Sequence, residues 1–483
     1  MQGQASLTWV ARPGAVVRAS LAQAHVAAMV LAVPLAVALG EGAWAVAAAL
    51  GGSLVLPIVA AGLAGRYPPG RDLRQIEAVA VIVLLFVGVS VLAVPGFMAL
   101  GLSPVDALFE SVSAITSTGL TVAEGTMGWP LAGHALRGWM QWAGGFAIAV
   151  AGVALILGPG SARGAASALG RAGLPERDLL SSTRAQARRL LVAYSALTVL
   201  AAAAFVPLFP TWWEGVAVAL AAVSTGGFTP RPDSLESYSR AAQAATMVAC
   251  LATTFSLMAY VRVRRDGPRA AFVESNAARV VVLCLAVSVT AAGLRLVSGG
   301  SPSHALDALL NTLSGVTTAG FSVAPIGLHT PVMALILGAM VVGGGAGSTT
   351  GGIKQERAAT LAAMVRVALT RLRSPPRAVT PLKTHGARMR PGQVTALGAV
   401  LFLYAASTMV VWILLLLGGV APMPALFDTV SALSTVGLSM GAAGPDLAWP
   451  LKLVLAAAML LGRLEFLALV AVLSPGTWAP LHR

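Results

Sequence analysis

The sequence predicts an all-α polytopic membrane protein with four helix/pore-loop/helix repeats in pseudo-fourfold arrangement, preceded by an N-terminal helical hairpin. Three observations carry this. Hydrophobic residues make up 57% of the 483 positions and charged residues only 10%, with a mean hydropathy of +0.82, a balance foreign to ordinary soluble proteins. Apolar runs long enough to cross a bilayer recur along the whole chain, which favours a retained first helix over a cleaved leader. One nine-residue pattern also occurs four times: small, any, aliphatic, hydroxyl, hydroxyl, any, Gly, Phe or Leu, hydroxyl. Repeats at such spacing set the architecture.

The formal charge of +14 does not point to nucleic acid. The basic residues gather in a few loops between apolar runs, the positive-inside pattern of membrane proteins. Cys250 and Cys284 lie inside apolar segments and predict buried thiols rather than a disulfide framework. His25, His134, His304, His329, His385 and His482 show no metal-ligand spacing. No nucleophile elbow or zinc-binding helix occurs, so the chain is not expected to be an enzyme.

Residues 1–70 form the hairpin, with apolar runs Ala22 to Leu39 and Ala43 to Ala64 separated by Glu41. The loop carrying Arg66, Arg71 and Arg74 is then cytoplasmic. Repeat 1 occupies 71–160, repeat 2 184–265, repeat 3 275–370 and repeat 4 391–475. Each joins a long apolar helix, a short half-apolar segment ending in the Gly motif, and a second long helix. Basic clusters fall between the repeats, at Arg163 to Arg189, Arg262 to Arg279 and Lys354 to Arg390. Every motif therefore opens to the outer side. With about ten spanning helices, both termini are cytoplasmic.

The middle segments are about fifteen residues long, too short to span the bilayer, and read as re-entrant helices followed by extended backbone. Such backbone is tolerated at membrane depth only when buried in protein or lining an aqueous path. Asp106, Glu214 and Asp307 each stand thirteen positions before a motif glycine, at the positive end of a short helix. The opposite ends aim carbonyls at the membrane centre, where four strands can replace the hydration shell of a cation. The candidate filter comprises Thr116, Ser117, Thr118 and Gly119; Ser224, Thr225, Gly226 and Gly227; Thr317, Thr318, Ala319 and Gly320; and Ser434, Thr435, Val436 and Gly437. Thr435-Val436-Gly437 matches the first half of a potassium-channel filter. A single copy reads more simply as a small-residue helix contact; four in register favour the filter.

The second helix of repeat 3 contains Gly343, Gly344, Gly345, Ala346, Gly347, Ser348, Thr349, Thr350, Gly351 and Gly352, then Ile353 and Lys354, a run no regular helix favours. It is expected to unwind below the filter as a gate. A phosphate cradle is the weaker reading, because the Gly-Lys-Ser/Thr ending and the preceding strand are missing. Arg463 and Glu465 lie mid-helix in the last apolar segment and are candidates for pore electrostatics; the alternative is an internal Arg to carboxylate pair. Glu110 and Asp428 stand nine residues before their glycines, where the other copies have Val218 and Asn311. They either concentrate cations near the pore or pack by hydrogen bonds behind the filter.

On these features the chain resembles the Trk/Ktr/HKT superfamily of potassium transporters, and within it the TrkH-type, KtrB-related membrane subunits. The resemblance rests on the four repeats, on Ser348-Thr349-Thr350-Gly351-Gly352-Ile353-Lys354, and on Gly462-Arg463-Leu464-Glu465; the two extra N-terminal helices resemble TrkH more than KtrB. It implies K+ held at filter carbonyls, Gly119, Gly227, Gly320 and Gly437 as filter glycines, residues 343 to 352 as the gate, and Arg463 as the last-helix arginine. It further implies a homodimer in the bacterial inner membrane and a cytoplasmic TrkA/KtrA-like ring that alone carries the regulatory nucleotide. Leu120 and Leu438 depart from the Phe of copies two and three. A sodium-selective or ion-coupled transporter with a midplane site is the competing function; an intramembrane enzyme or structural subunit is a third.

Overall fold

The computed structural model describes residues 10–67, 73–156, 176–274, 277–375, 381–384, 387–389 and 391–479. Arg71, Arg163, Arg171, His385, Arg390 and His482 lie outside them. The hairpin consists of α1 (Pro13–Glu41) and α2 (Trp44–Ala64), turned at Gly42 with φ 76°. Helix α1 begins earlier than the apolar run, because Pro13 suits a first helical position. Glu41 reaches from the turn to accept the N–H groups of Leu131 and Ala132 at 2.9 and 2.7 Å. The hairpin thereby caps the second helix of repeat 1. At its other end Arg12 pairs with Glu77 at 2.7 Å.

Repeat 1 contains α3 (Gln75–Met98), α4 (Pro104–Ile115) and α5 (Leu131–Ile156); repeat 2 contains α6 (Glu176–Phe205), α7 (Trp212–Ser224), α8 (Arg240–Thr253) and α9 (Met258–Asp266). After the connecting α10 (Pro268–Glu274), repeat 3 contains α11 (Ala277–Val297), α12 (Pro302–Val316), α13 (Thr330–Val342) and α14 (Gln355–Leu372). Repeat 4 contains α15 (Pro391–Leu417), α16 (Pro422–Leu433), α17 (Trp449–Arg463) and α18 (Phe466–Leu473), followed by α19 (Pro475–Trp478). The helical fold has one small exception: Lys383–Thr384 pairs antiparallel with Ala387–Arg388.

The short helices α4, α7, α12 and α16 have 12, 13, 15 and 12 residues. At 1.5 Å per residue they reach about 18–22 Å, short of the hydrocarbon thickness. Ser103, Thr211 and Ser301 cap three of them with side-chain oxygens, which fixes where each short helix starts.

Among the described residues six helices are long and apolar enough to cross a membrane, or seven with one bent pair counted as a span. That is fewer than ten uniform rods, and the shortfall lies in the second helices of the repeats. The second helix expected in repeat 2 breaks at residues 254–257, between α8 and α9. Repeat 3 breaks at the Gly-rich run, as its composition predicts. In repeat 4, α17 and α18 meet at 111°. The reason in each case is local: polar or small residues interrupt an apolar run where neighbouring backbone supplies replacement partners.

Candidate functional site

Each motif begins at the C-terminal end of a short helix and turns through two left-handed residues. The first is Ser117, Thr225, Thr318 or Thr435, with φ of 50°, 52°, 52° and 47°; the second is Gly119, Gly227, Gly320 or Gly437, with φ of 94°, 76°, 77° and 98°. The residue between them sends its N–H back into its helix. Thr118, Gly226, Ala319 and Val436 donate to the carbonyls of Ser113, Ala221, Ser314 and Ser431 at 3.0, 2.8, 2.9 and 2.9 Å. Donors thus face the helix, and the carbonyls face the other way.

The four glycines stand in a cycle. A Cβ on Gly119 would meet Gly226 O, one on Gly227 would meet Ala319 O, one on Gly320 would meet Val436 O, and one on Gly437 would meet Thr118 O. Each glycine abuts the carbonyl before the next, and the fourth returns to the first. A closed arrangement of backbone carbonyls of this kind can take the place of a cation's hydration shell.

Glu110 and Asp428 are fully buried, and they brace the strands from behind. Glu110 accepts from Thr121 Oγ1 at 2.5 Å and Val122 N at 2.8 Å, with Arg137 3.3 Å from its other oxygen. Asp428 accepts from Ser439 Oγ, Met440 N and Ala443 N at 2.6, 2.8 and 2.7 Å. In repeat 3, Asn311 accepts from Val323 N at 2.8 Å and donates to Ala324 O at 2.9 Å. Of the two sequence readings, this geometry supports the hydrogen-bonded brace.

The loop between α13 and α14 lies against the inner ends of three motifs. Thr225 Oγ1 donates to Thr349 Oγ1 at 3.3 Å, Gly351 N to Thr318 Oγ1 at 2.8 Å, and Gly352 N to Ser434 O at 3.1 Å. It is also held from below and beside: Gly345 N donates to Thr254 O at 2.8 Å, Leu257 N to Gly347 O at 3.1 Å, and Ala346 N to Glu356 Oε2 at 2.8 Å. Ser348 bonds Thr350 at 2.6 Å, while Lys354 Nζ donates to Thr350 O. Gly344 packs against Thr350 and Thr254. Between this loop and Thr435 remains a cavity of about 40 Å³, also lined by Thr350, Gly351 and Arg463, room for about one water.

Arg463 and Glu465 are not mid-helix, and they do not pair with each other. The chain leaves α17 after Arg463, and Glu465 takes φ 62°. Arg463 is buried and donates from Nη1 to Thr349 O at 2.8 Å. Glu465 turns outward and pairs with Arg357 at 3.0 Å, its side chain 47% exposed. An exposed carboxylate and a buried guanidinium two residues apart are separated by the break, which the apolar composition around them conceals.

Several contributors escaped the sequence reading. The unwound turn at residues 254–257 receives the loop, and its signal is Thr253-Thr254 and Ser256 inside an apolar run. Tyr404, on the first helix of repeat 4, bonds Ser434 Oγ at 2.8 Å. Asp106 and Glu214 stand in the first turns of their short helices, but Asp307 does not, because α12 starts earlier, at Pro302. All three have cations for partners: Asp106 meets Lys452 at 2.5 Å, Glu214 meets Arg231 at 3.4 Å, and Asp307 meets Arg240 at 2.5 Å.

A multi-pass helical bundle with four short helices whose carbonyl-bearing motifs contact one another in turn has the form of a membrane transport protein. The family model TrkH, described as a cation transport protein, matches residues 78–475. The chain belongs to this family, one of ion transporters rather than enzymes. The Trk system potassium uptake protein TrkH of Halomonas elongata is 31% identical over 401 residues, covering 79% of this chain and 80% of that protein. TrkG of Escherichia coli is 28% identical over 443 residues, covering 85% and 87%. The crystal structure of the potassium transporter TrkH from Vibrio parahaemolyticus superposes with a TM-score of 0.84 at 26% identity, covering 96% of this chain and 99% of that one.

Proposed function

We propose that the chain takes up K+ across the bacterial cytoplasmic membrane through the four-strand ring, driven by the membrane potential and gated by residues 343–354. The observation that carries this reading is the cycle of Gly119, Gly227, Gly320 and Gly437 above a loop bonded to three of the four motifs. Four carbonyl-bearing strands supply the field a dehydrated monovalent cation needs. The loop beneath them supplies the obstruction. Relatives named as potassium uptake proteins support K+ as the ion.

Both termini are cytoplasmic in this reading, because the basic loops lie between repeats. The protein works as a homodimer, and a TrkA/KtrA-like nucleotide-binding ring moves the loop from below. No nucleotide or other cofactor binds this chain. The test is rubidium and sodium flux into proteoliposomes holding the pure protein, with and without residues 344–351. Deletion is expected to raise rubidium flux while sodium competes weakly. Absence of flux after deletion, or saturating sodium transport indifferent to potassium, overturns the proposal.

A further inference from the structure

Repeats 1 and 4 brace their strands in a way that repeat 2 does not, and in repeat 3 the corresponding Ser314 Oγ has no hydrogen-bond partner among the described residues. In repeats 1 and 4 a serine six residues before the glycine accepts its N–H, from Gly119 to Ser113 Oγ at 3.1 Å and from Gly437 to Ser431 Oγ at 3.0 Å. Ser113 Oγ also donates to Leu120 O at 2.6 Å. Repeat 2 has Ala221 at this place, with no hydroxyl to offer. It also has Gly226 where the other strands carry Thr118, Ala319 and Val436.

One side chain from the neighbouring repeat engages this strand instead, through Gly226 O and Phe228 N rather than through the Gly227 N–H. Gln141 of α5 donates from Nε2 to Gly226 O and accepts from Phe228 N at 3.3 Å. One carbonyl and one amide as partners fix the orientation of its own amide. A Cβ on Gly226 would come within 2.5 Å of the Gln141 amide carbon, so this glycine makes room for the glutamine. Gln141 is fully buried, and its backbone carbonyl accepts from Ser117 Oγ at 2.8 Å. One turn earlier on the same face, Arg137 lies 3.8 Å over the Phe228 ring and 3.3 Å from Glu110. The strip is thereby anchored to both strands.

We infer that Gln141 is a positioning residue for ion selection, bracing the strand that has no such serine and holding the Gly226 carbonyl in the ring. This rests on the ring being the filter. A carbonyl already engaged by an N–H presents a weaker field to a dehydrated cation than its counterparts, and selectivity depends on the number and strength of such dipoles. The strand of repeat 2 is therefore tuned from outside itself, by a residue of repeat 1.

The experiment measures rubidium against sodium flux in proteoliposomes for Gln141→Ala, Gln141→Ala with Ala221→Ser, and Gly437→Ser. Losing a buried hydrogen bond is expected to lower the rubidium to sodium ratio of Gln141→Ala about ten-fold. Ala221→Ser restores the serine brace seen in repeats 1 and 4 and is expected to recover part of that ratio. If Gln141→Ala gives no folded protein, Gln141→Leu keeps the volume and removes the same bonds. An unchanged ratio in the glutamine variants while Gly437→Ser lowers it overturns the role of Gln141 alone; so does a lowered ratio that Ala221→Ser leaves where it was. An unchanged ratio in Gly437→Ser overturns the filter reading beneath it.

Discussion

The guanidinium of Arg463 donates to the carbonyl of Thr349 at 2.8 Å, joining residues 114 apart in sequence. The end of α17 in repeat 4 thus holds the loop of repeat 3, while Arg463 Nε and Nη2 have no hydrogen-bond partner among the described residues. A bond from a charged donor contributes about 1.5–3 kcal/mol. Arg463→Gln loosens the loop and removes a positive charge beneath the ring, and both effects act in the same direction. Resting rubidium flux is expected to rise about ten-fold or more. An unchanged leak in stopped-flow or tracer uptake would reduce Arg463 to a packing residue.

The four ring glycines should not be equivalent. A Cβ on Gly227 would stand 2.7 Å from Ala319 O, whereas the same atom on Gly119, Gly320 or Gly437 would come closer to its neighbouring carbonyl. All four have left-handed φ, so each alanine carries a backbone cost of about 1–2 kcal/mol, and the clash decides the order. Gly227→Ala is expected to retain the most flux of the four single variants. Equal loss in all four would show that backbone angle alone matters.

The repeat structure was legible because hydropathy and one motif recur together, and neither depends on tertiary contacts. The short helices and the Gly-rich interruption followed from length and composition for the same reason. The breaks at residues 254–257 and at Leu464 were not legible, since apolar helix formers surround them and the replacement bonds come from distant segments. Gln141 was hidden for a related reason. Its meaning lies in Ala221 and Gly226, two absences in another repeat that become informative only when the strands stand side by side. Glu110 and Asp428 were found by position, but only their geometry separates a brace from a charge that attracts cations.

That geometry makes the two carboxylates unequal. Asn311 shows that an amide can brace a strand at this position, accepting from Val323 N at 2.8 Å. Asp428→Asn therefore keeps part of the network and forfeits a buried bond worth about 1–3 kcal/mol. Glu110→Gln also removes the charge 3.3 Å from buried Arg137, and breaking a buried pair costs about 3–5 kcal/mol. Glu110→Gln is expected to lower the apparent melting temperature in detergent more than Asp428→Asn. Neither variant should change the ionic-strength dependence of flux, because buried charges are screened little; a flattened salt dependence would restore the cation-attracting role.

The tie between repeats 1 and 4 at the start of α4 is asymmetric in a testable way. Lys452 is 5% exposed and donates to Asp106 Oδ1 at 2.5 Å and to Pro445 O at 2.7 Å. The Asp106 side chain is 22% exposed and accepts from Ser103 Oγ at 2.8 Å. Lys452→Met leaves a carboxylate that water and Ser103 still solvate, and the unbranched apolar side chain, one heavy atom shorter than lysine, fills most of the space. Asp106→Asn leaves an ammonium buried with its charge uncompensated, the costlier outcome. Asp106→Asn is therefore expected to lower the melting temperature more than Lys452→Met, and adding Lys452→Met to Asp106→Asn should recover part of the loss. Additive losses in that double-mutant cycle would mean that the pair does not couple and that the seam is held by apolar packing alone.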